Sequence, residues 1–235
     1  MKNLLVASTS TIHGSGYLEY LTETLEALFS ETDDILFIPF ARPGGISHDA
    51  YTQRATEAFK KIGKNITGLH TYKDPVAAIQ QAQGIFTGGG NTFVLVSELL
   101  KRNAMQPLRE VLLNGTPYLG TSAGSNICGI TMQNTNDMPI VYPSSFKTTG
   151  VVPFNINAHY LDPDLSSTHM GETRETRIKE FHTQQTIPVV GLREGSWIRV
   201  RGEEMLLKGA HTARIFLQGK PPFEIASETD LASAL

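Results

Sequence analysis

The central stretch of the chain reads Pro117-Tyr118-Leu119-Gly120-Thr121-Ser122-Ala123-Gly124-Ser125. Its pattern, G-x-S-x-G, is that of a nucleophile elbow, in which a strand ends, the chain turns sharply and a helix begins. Gly120 and Gly124 suit this turn because a side chain at either position would collide where the strand and the helix meet. The pattern predicts that Ser122 is a nucleophile, with a purely structural tight turn as the alternative.

The residues after Ser122 favour a buried helix that continues through 125–130. The backbone N–H of Ala123 would open that helix, and an N–H group at a helix start can face a developing oxyanion. We therefore expect Ala123 to supply one donor of an oxyanion hole.

Length and charge restrict the class of protein. The chain has 235 residues and a formal net charge of -3, with both signs of charge mixed along it. This balance gives no reason to expect a nucleic-acid or membrane surface. We expect one domain over residues 1–235, because nothing in the chain resembles a linker or a repeat. The N-terminal apolar run is too short for a signal peptide, which predicts a cytoplasmic protein.

Strands and helices alternate through the first half of the chain. Short apolar runs predict strands before the one that carries Ser122, at 4–7, 35–40, 65–71 and 84–87. Apolar residues at helical spacing predict helices at 17–29, 51–62, 75–83, 93–100 and 105–113. This rhythm predicts a doubly wound, mostly parallel α/β sheet of the flavodoxin-like kind, with helices on both faces.

The rhythm changes after residue 133. Asn, Pro, Ser and Thr are frequent from 133 to 163, which predicts loops over the sheet edge with one strand inside 151–158. A charged helix at 171–181 and a strand at 188–192 are expected next. Three further segments are predicted to be antiparallel strands joined by hairpins. They lie at 197–200, 205–207 and 213–217.

A second glycine cluster, Gly88-Gly89-Gly90-Asn91-Thr92, follows the strand before the elbow strand. In a doubly wound sheet the ligand crevice lies at the carboxyl ends of the strands, where both clusters fall. The N–H of Gly89 or Gly90 would then be the second oxyanion donor. A phosphate-binding loop and a plain turn are the alternatives, although a P-loop would carry a lysine that is absent here.

A serine hydroxyl needs a base, so one of the seven histidines should lie near Ser122. His159 ends the run 154–158 and would project from a strand end into the crevice, which a general base requires. The imidazole also needs an acid to orient it. Asp137, in the loop after the elbow helix, and Glu194, at a strand-to-turn junction, are two candidates, and the residues alone leave both open.

Several stretches together resemble the peptidase E family of alpha-aspartyl dipeptidases, along the chain from its first strand to its final hairpins. They are Ile38-Pro39-Phe40-Ala41, Gly88-Gly89-Gly90-Asn91-Thr92-Phe93, Gly120-Thr121-Ser122-Ala123-Gly124, Asn134-Thr135-Asn136-Asp137-Met138-Pro139-Ile140-Val141, Ile156-Asn157-Ala158-His159, Gly171-Glu172-Thr173-Arg174-Glu175 and Glu194-Gly195-Ser196-Trp197-Ile198. Thr121 and Ala158 depart from the family, in which a bulkier aromatic residue and a proline are expected at these flanking positions.

The resemblance implies a cytoplasmic serine peptidase that splits dipeptides with an N-terminal aspartate through an aspartyl-serine ester. It also implies a sheet similar to that of class I glutamine amidotransferases and an enzyme that needs no metal or other cofactor. In this family pattern Ser122 is the nucleophile and His159 is the base. The family has been described with its acid at the position of Asp137 and also at that of Glu194, so both remain candidates. A small dipeptide is the expected partner, and the oligomeric state stays open, a homodimer being one option.

Specificity for aspartate requires a cation. Arg174 and Arg177 lie three residues apart on a predicted helix and so share a face, and a guanidinium can bind a carboxylate through two hydrogen bonds. The resemblance favours Arg174, while a solvated helix face is the alternative. The acid that does not orient His159 would be free to bind the substrate's ammonium group.

Two other functions fit part of the pattern. An exopeptidase of the cyanophycinase type would cut beta-aspartyl links, and a flavodoxin-like protein without enzymatic activity would bind a phosphate at the triple glycine. We expect no metal site, because no group of His, Cys and acidic residues has ligand spacing.

Overall fold

The fold was analysed in a computed structural model that describes residues 1–235 except Leu165, Ser167 and His169. The larger of its two sheets contains seven strands. They are β1 (Asn3–Ala7), β2 (Asp34–Ile38), β3 (Asn65–Gly68), β4 (Gly84–Thr87), β5 (Tyr118–Thr121), β8 (Ser196–Arg201) and β9 (Glu204–Gly209). Their order across the sheet is β3-β2-β4-β5-β1-β8-β9. The first five in this order run parallel, and β8 and β9 are antiparallel to their neighbours.

Helices cover both faces of this sheet. They are α1 (Thr22–Leu28), α2 (His48–Lys60), α3 (Pro75–Gln80), α4 (Thr92–Lys101), α5 (Met105–Asn114) and α6 (Ala123–Asn126). Side chains alternate along a strand, so Leu4 and Val6 of β1 pack in one core with α4 and α5. Leu5 and Ala7 pack in a second core with α1 and α2. The predicted doubly wound α/β sheet is therefore confirmed.

The second sheet has four strands in the order β11-β10-β7-β6. They are β6 (Asn155–Ala158), β7 (Val189–Leu192), β10 (Ala213–Phe216) and β11 (Phe223–Ile225). Strands β6 and β7 are parallel, and β10 is antiparallel to both β7 and β11. Helix α7 (Arg174–Phe181) covers this sheet through Ile178, which packs with Tyr160, Val189 and Phe216.

Two expectations about local structure were wrong. The strands β9 and β10 do not form a hairpin, because β9 completes the large sheet and β10 pairs in the small one. The helix after Ser122 ends at Asn126, because Cys128 and Gly129 donate to carbonyls only three residues earlier and the last turn tightens.

The topology brings three strand ends together. Ala7 of β1 and Thr87 of β4 pair with Thr121 and Gly120 of β5, so these strands end side by side. Ser8, Gly88 and Ser122 therefore begin three neighbouring loops at the carboxyl edge of the sheet, where ligands bind in doubly wound folds.

Candidate active site

Ser122 lies at a sharp bend between β5 and α6. Its backbone has φ 53° and ψ -111°. Residues other than glycine rarely adopt this conformation, which costs roughly 1–3 kcal/mol. The two flanking glycines make the bend sterically feasible. A Cβ atom on Gly120 would lie 2.5 Å from the carbonyl oxygen of Gly124, and one on Gly124 would collide with the carbonyl of Thr87. The sequence pattern thus folds as an elbow that holds the serine on a strained tip.

The imidazole of His159 lies beside this serine. Its Nε2 atom is 2.9 Å from Ser122 Oγ, which is within hydrogen-bonding distance. His159 directly follows β6 and has φ 54°, so its backbone is also in the left-handed region. A serine and an imidazole at this distance are the arrangement in which the imidazole can take the hydroxyl proton.

A carboxylate contacts the other nitrogen of the same ring. Glu194 Oε1 is 2.6 Å from His159 Nδ1. The strand register explains this contact: Ala158 and Leu192 are paired at the ends of the parallel strands β6 and β7, so the residues that follow them emerge together. Ser122, His159 and Glu194 together have the geometry of a catalytic triad.

The other candidate acid, Asp137, contacts Thr92 and Thr135 instead of His159. Asp137 Oδ2 accepts hydrogen bonds from the backbone N–H of Thr92 at 2.7 Å, from the Thr92 hydroxyl at 2.5 Å and from the Thr135 hydroxyl at 3.0 Å. Thr92 begins α4, and the partial positive charge of a helix N-terminus favours a carboxylate there. Of the two acids, only Glu194 contacts His159 in the structure.

Three backbone N–H groups are the predicted candidates for the oxyanion hole. The N–H groups of Gly89, Gly90 and Ala123 make no hydrogen bond to any described residue. Gly89 lies against the nucleophile, since a Cβ atom on it would be 2.9 Å from Ser122 Cβ. A Cβ atom on Gly90, which has φ 145°, would collide with the carbonyl of Ala41. Gly89 and Ala123 therefore flank Ser122 directly.

A cavity of about 360 Å³ opens beside His159. Its lining residues include His159, Arg174, Glu194 and His211. Arg174 is partly buried at the start of α7 and forms no ion pair with a described residue. Burial and the neighbouring Arg177 lower the pKa of Arg174, while Asp137 and Glu194 act in the opposite direction. A partly buried guanidinium without an anionic partner suits a cavity that receives an anion.

Arg177 differs from Arg174 in its exposure and in its ion pairing. Its side chain is 60% exposed and pairs with Glu172 at 3.6 Å. The solvated-face alternative therefore describes Arg177, and only Arg174 lines the cavity next to His159.

Comparison with known proteins identifies the family of the chain. The family model described as peptidase family S51 matches residues 4–208. The chain belongs to peptidase family S51. It is similar to a peptidase E of Streptomyces coelicolor, with 45% identity over 99% of this chain and 95% of the relative. It is also similar to a "Probable alpha-aspartyl dipeptidase" of Drosophila melanogaster, with 45% identity over 100% of this chain and 98% of the relative.

The fold of this S51 peptidase matches that of a solved structure. The crystal structure of a peptidase from an acI-B1 Actinobacterium has a TM-score of 0.72, with 16% sequence identity. The match covers 98% of this chain and 96% of that one. At this identity the likeness shows the shared fold.

Sequence reasoning missed one polar residue at the site of this S51 peptidase. Ser8 is fully buried, and its hydroxyl accepts a hydrogen bond from the backbone N–H of His159 at 2.9 Å. The available signal was its place directly after β1, beside the strand that carries Ser122. The position of Ser8 near Ser122 can be recognised only once the strand order is known, because β1 and β5 are far apart in the sequence.

Within the described part of the chain, no three His, Cys, Asp or Glu side chains are grouped so that they could hold a metal ion. No helix formed by the described residues is long and apolar enough to cross a bilayer.

Proposed function

We propose that this S51 peptidase is a serine dipeptidase that hydrolyses dipeptides with an N-terminal aspartate. Its relatives include proteins named peptidase E and probable alpha-aspartyl dipeptidase. The observation that carries the proposal is the Arg174 guanidinium, which forms no ion pair with a described residue and lies in the cavity that His159 and Glu194 also line. This arrangement supports binding of an aspartate side chain next to Ser122.

The proposed chemistry is acyl transfer. His159 takes the proton of Ser122 Oγ as this oxygen attacks the aspartyl carbonyl carbon, and the N–H groups of Ala123 and Gly89, assisted by Gly90, stabilise the oxyanion. Glu194 holds the imidazole through Nδ1 and stabilises its charged form. The protonated His159 then gives its proton to the leaving amine. Water hydrolyses the aspartyl-serine ester by the same steps, which regenerates the serine.

Asp137 is proposed to bind the free ammonium group of the substrate. Oδ2 of Asp137 is occupied by donors from Thr92 and Thr135, while no described residue donates to Oδ1. The negative charge of Asp137 acts to raise the pKa of Arg174, which supports an electrostatic interaction between the two side chains. A carboxylate for the ammonium and a guanidinium for the side chain would together select a short peptide that begins with aspartate.

A panel of dipeptides tests the proposal. We expect Asp-Leu to be cleaved, and Asn-Leu and Ala-Leu to be cleaved far more slowly, because a neutral side chain cannot pair with Arg174. Asn-Leu is the sharper control because its side chain has almost the same shape as that of Asp-Leu. Equal cleavage of Asp-Leu and Asn-Leu would contradict the proposed specificity.

Adding the beta isomer of Asp-Leu to the panel separates the alternatives. A beta-aspartyl exopeptidase would cleave the beta isomer of Asp-Leu in preference to the alpha isomer. A phosphate binder without enzymatic activity would cleave neither. The proposal also includes a cytoplasmic location, which the resemblance to the peptidase E family implies and which cell fractionation tests.

A further inference from the structure

The carboxyl end of β1 contacts both members of the Ser122–His159 pair. The carbonyl of Ala7 accepts hydrogen bonds from the N–H of Ser122 at 3.2 Å and from the hydroxyl of Ser125 at 2.6 Å. The next residue, Ser8, contacts His159. Two consecutive residues of one strand end therefore hold the backbone of the nucleophile and the backbone of the base.

The orientation of the Ser8 hydroxyl follows from its two partners. The N–H of His159 can only donate, so Ser8 Oγ accepts from it at 2.9 Å. The carbonyl of Leu192 can only accept, so the same hydroxyl donates to it at 2.7 Å. Ser8 is fully buried, so water does not replace either partner if the hydroxyl is removed without local rearrangement.

These bonds fix a strained part of the site. His159 has φ 54°, and a non-glycine residue keeps such a conformation only where its surroundings determine it. Leu192 ends β7 two residues before Glu194, and its carbonyl also accepts from the N–H of Tyr160 at 3.1 Å. One hydroxyl thus links the large sheet, the backbone of the base and the strand that leads to the acid.

We propose that Ser8 is a positioning residue, whose hydroxyl holds the His159 backbone in its left-handed conformation so that Nε2 points at Ser122. This inference rests on the Ser122–His159 pair of the proposed function. Without the hydroxyl, the His159 N–H loses its partner and the residue can relax toward an ordinary φ. That relaxation moves the imidazole away from the serine while the substrate-binding groups stay in place.

The test compares Ser8→Ala with a matched control, Ser196→Ala. Ser196 is also fully buried and also donates its hydroxyl to a carbonyl, that of His211 at 3.2 Å, but its side chain does not contact His159. Both variants lose one buried hydroxyl, and thermal melting of each measures the accompanying loss of stability. A third variant, Ser8→Cys, nearly keeps the side-chain volume and replaces the hydroxyl by a weak hydrogen-bonding group.

Two rates are measured with each variant: hydrolysis of Asp-Leu, and labelling of Ser122 by phenylmethanesulfonyl fluoride. For Ser8→Ala we expect kcat and the labelling rate to fall about 10- to 100-fold, as misplacement of a reacting group by about 1 Å does. KM should stay within about twofold, since the groups proposed to bind substrate are untouched. Ser8→Cys should lose activity in the same direction, and Ser196→Ala should keep wild-type kcat.

Each outcome supports or overturns the proposed role of Ser8. The proposal is overturned if Ser8→Ala or Ser8→Cys keeps the wild-type kcat and labelling rate, or if Ser196→Ala loses as much activity as Ser8→Ala. It is also overturned if the loss in Ser8→Ala is entirely in KM. If wild-type protein does not cleave Asp-Leu, the proposed function fails, and the labelling rate still tests Ser8, because the reagent needs no aspartate.

Discussion

His159 Nε2 lies 2.9 Å from Ser122 Oγ, although the two residues follow strands of different sheets. Both residues have positive φ, 53° for Ser122 and 54° for His159. The short distance between their side chains therefore depends on two strained backbones that their neighbours hold in place. This dependence makes activity more sensitive than stability to changes around the pair.

Glu194→Gln should lower kcat by about 10²- to 10⁴-fold with a small change in KM, because an amide cannot stabilise the imidazolium charge. Asp137→Asn should instead act mainly on KM, because Asp137 does not contact His159. Steady-state kinetics on Asp-Leu separate the two effects. Glu172→Gln is the control, since its side chain is as exposed as that of Glu194, 55% in each case. A larger loss of kcat in Asp137→Asn than in Glu194→Gln would reverse the proposed roles.

Arg174→Ala should remove the preference for aspartate. The loss of a charged pair with the substrate side chain corresponds to about 2–4 kcal/mol, or about 30- to 1,000-fold in kcat/KM for Asp-Leu. Cleavage of Ala-Leu should change little, since that substrate has no carboxylate to pair. Arg177→Ala, three residues along the same helix, serves as the control. If Arg174→Ala still prefers Asp-Leu over Ala-Leu as strongly as the wild type, the specificity residue has been misassigned.

Gly89→Ala should reduce kcat by about 100-fold or more, the range seen when one oxyanion donor is lost. The added Cβ atom would lie 2.9 Å from Ser122 Cβ, so either the glycine loop or the serine must move. Gly44→Ala is the matched control, because a Cβ atom at Gly44 meets nothing within 4 Å. Steady-state kinetics on Asp-Leu and thermal melting are measured for both variants. Full activity in Gly89→Ala would exclude this glycine from the oxyanion hole.

Stability in acid should depend on Glu224. Burial opposes ionisation of this side chain, but hydrogen bonds from Arg193, Thr212 and Arg214 outweigh it and lower its pKa from 4.5 to about 2. Because the pKa is lower in the folded state, the stabilisation is complete above pH 4.5 and is lost as the pH falls to about 2.

Urea unfolding across this pH range checks the prediction. Glu224→Gln should lower the free energy of unfolding at neutral pH and flatten its decrease in acid. Glu204→Gln is the control, since Glu204 is exposed and its carboxylate bonds to no described residue. An acid limb as steep in Glu224→Gln as in the wild type would show that other carboxylates cause it.

The sequence predicted the large sheet and the elbow because their signals are local. Apolar runs mark the strands, and the steric demand at Gly120 arises within five residues of chain, from the carbonyl of Gly124. The contact of Glu194 with His159 is different in kind. It depends on the parallel pairing of Ala158 with Leu192, which no local pattern encodes. The proposed role of Ser8 could not be predicted for the same reason, because it depends on the neighbouring positions of β1, β5 and β6, which are distant in the sequence.

The most direct test of the central claim is the mass of the peptide that contains Ser122 after the enzyme is quenched in acid during turnover of aspartyl p-nitroanilide. The account predicts an aspartyl adduct on Ser122 in the wild type, and neither adduct nor turnover in a folded Ser122→Ala variant, whose kcat should fall by about 10⁵- to 10⁶-fold. Turnover by Ser122→Ala at the wild-type rate, or an adduct on another residue, would contradict it.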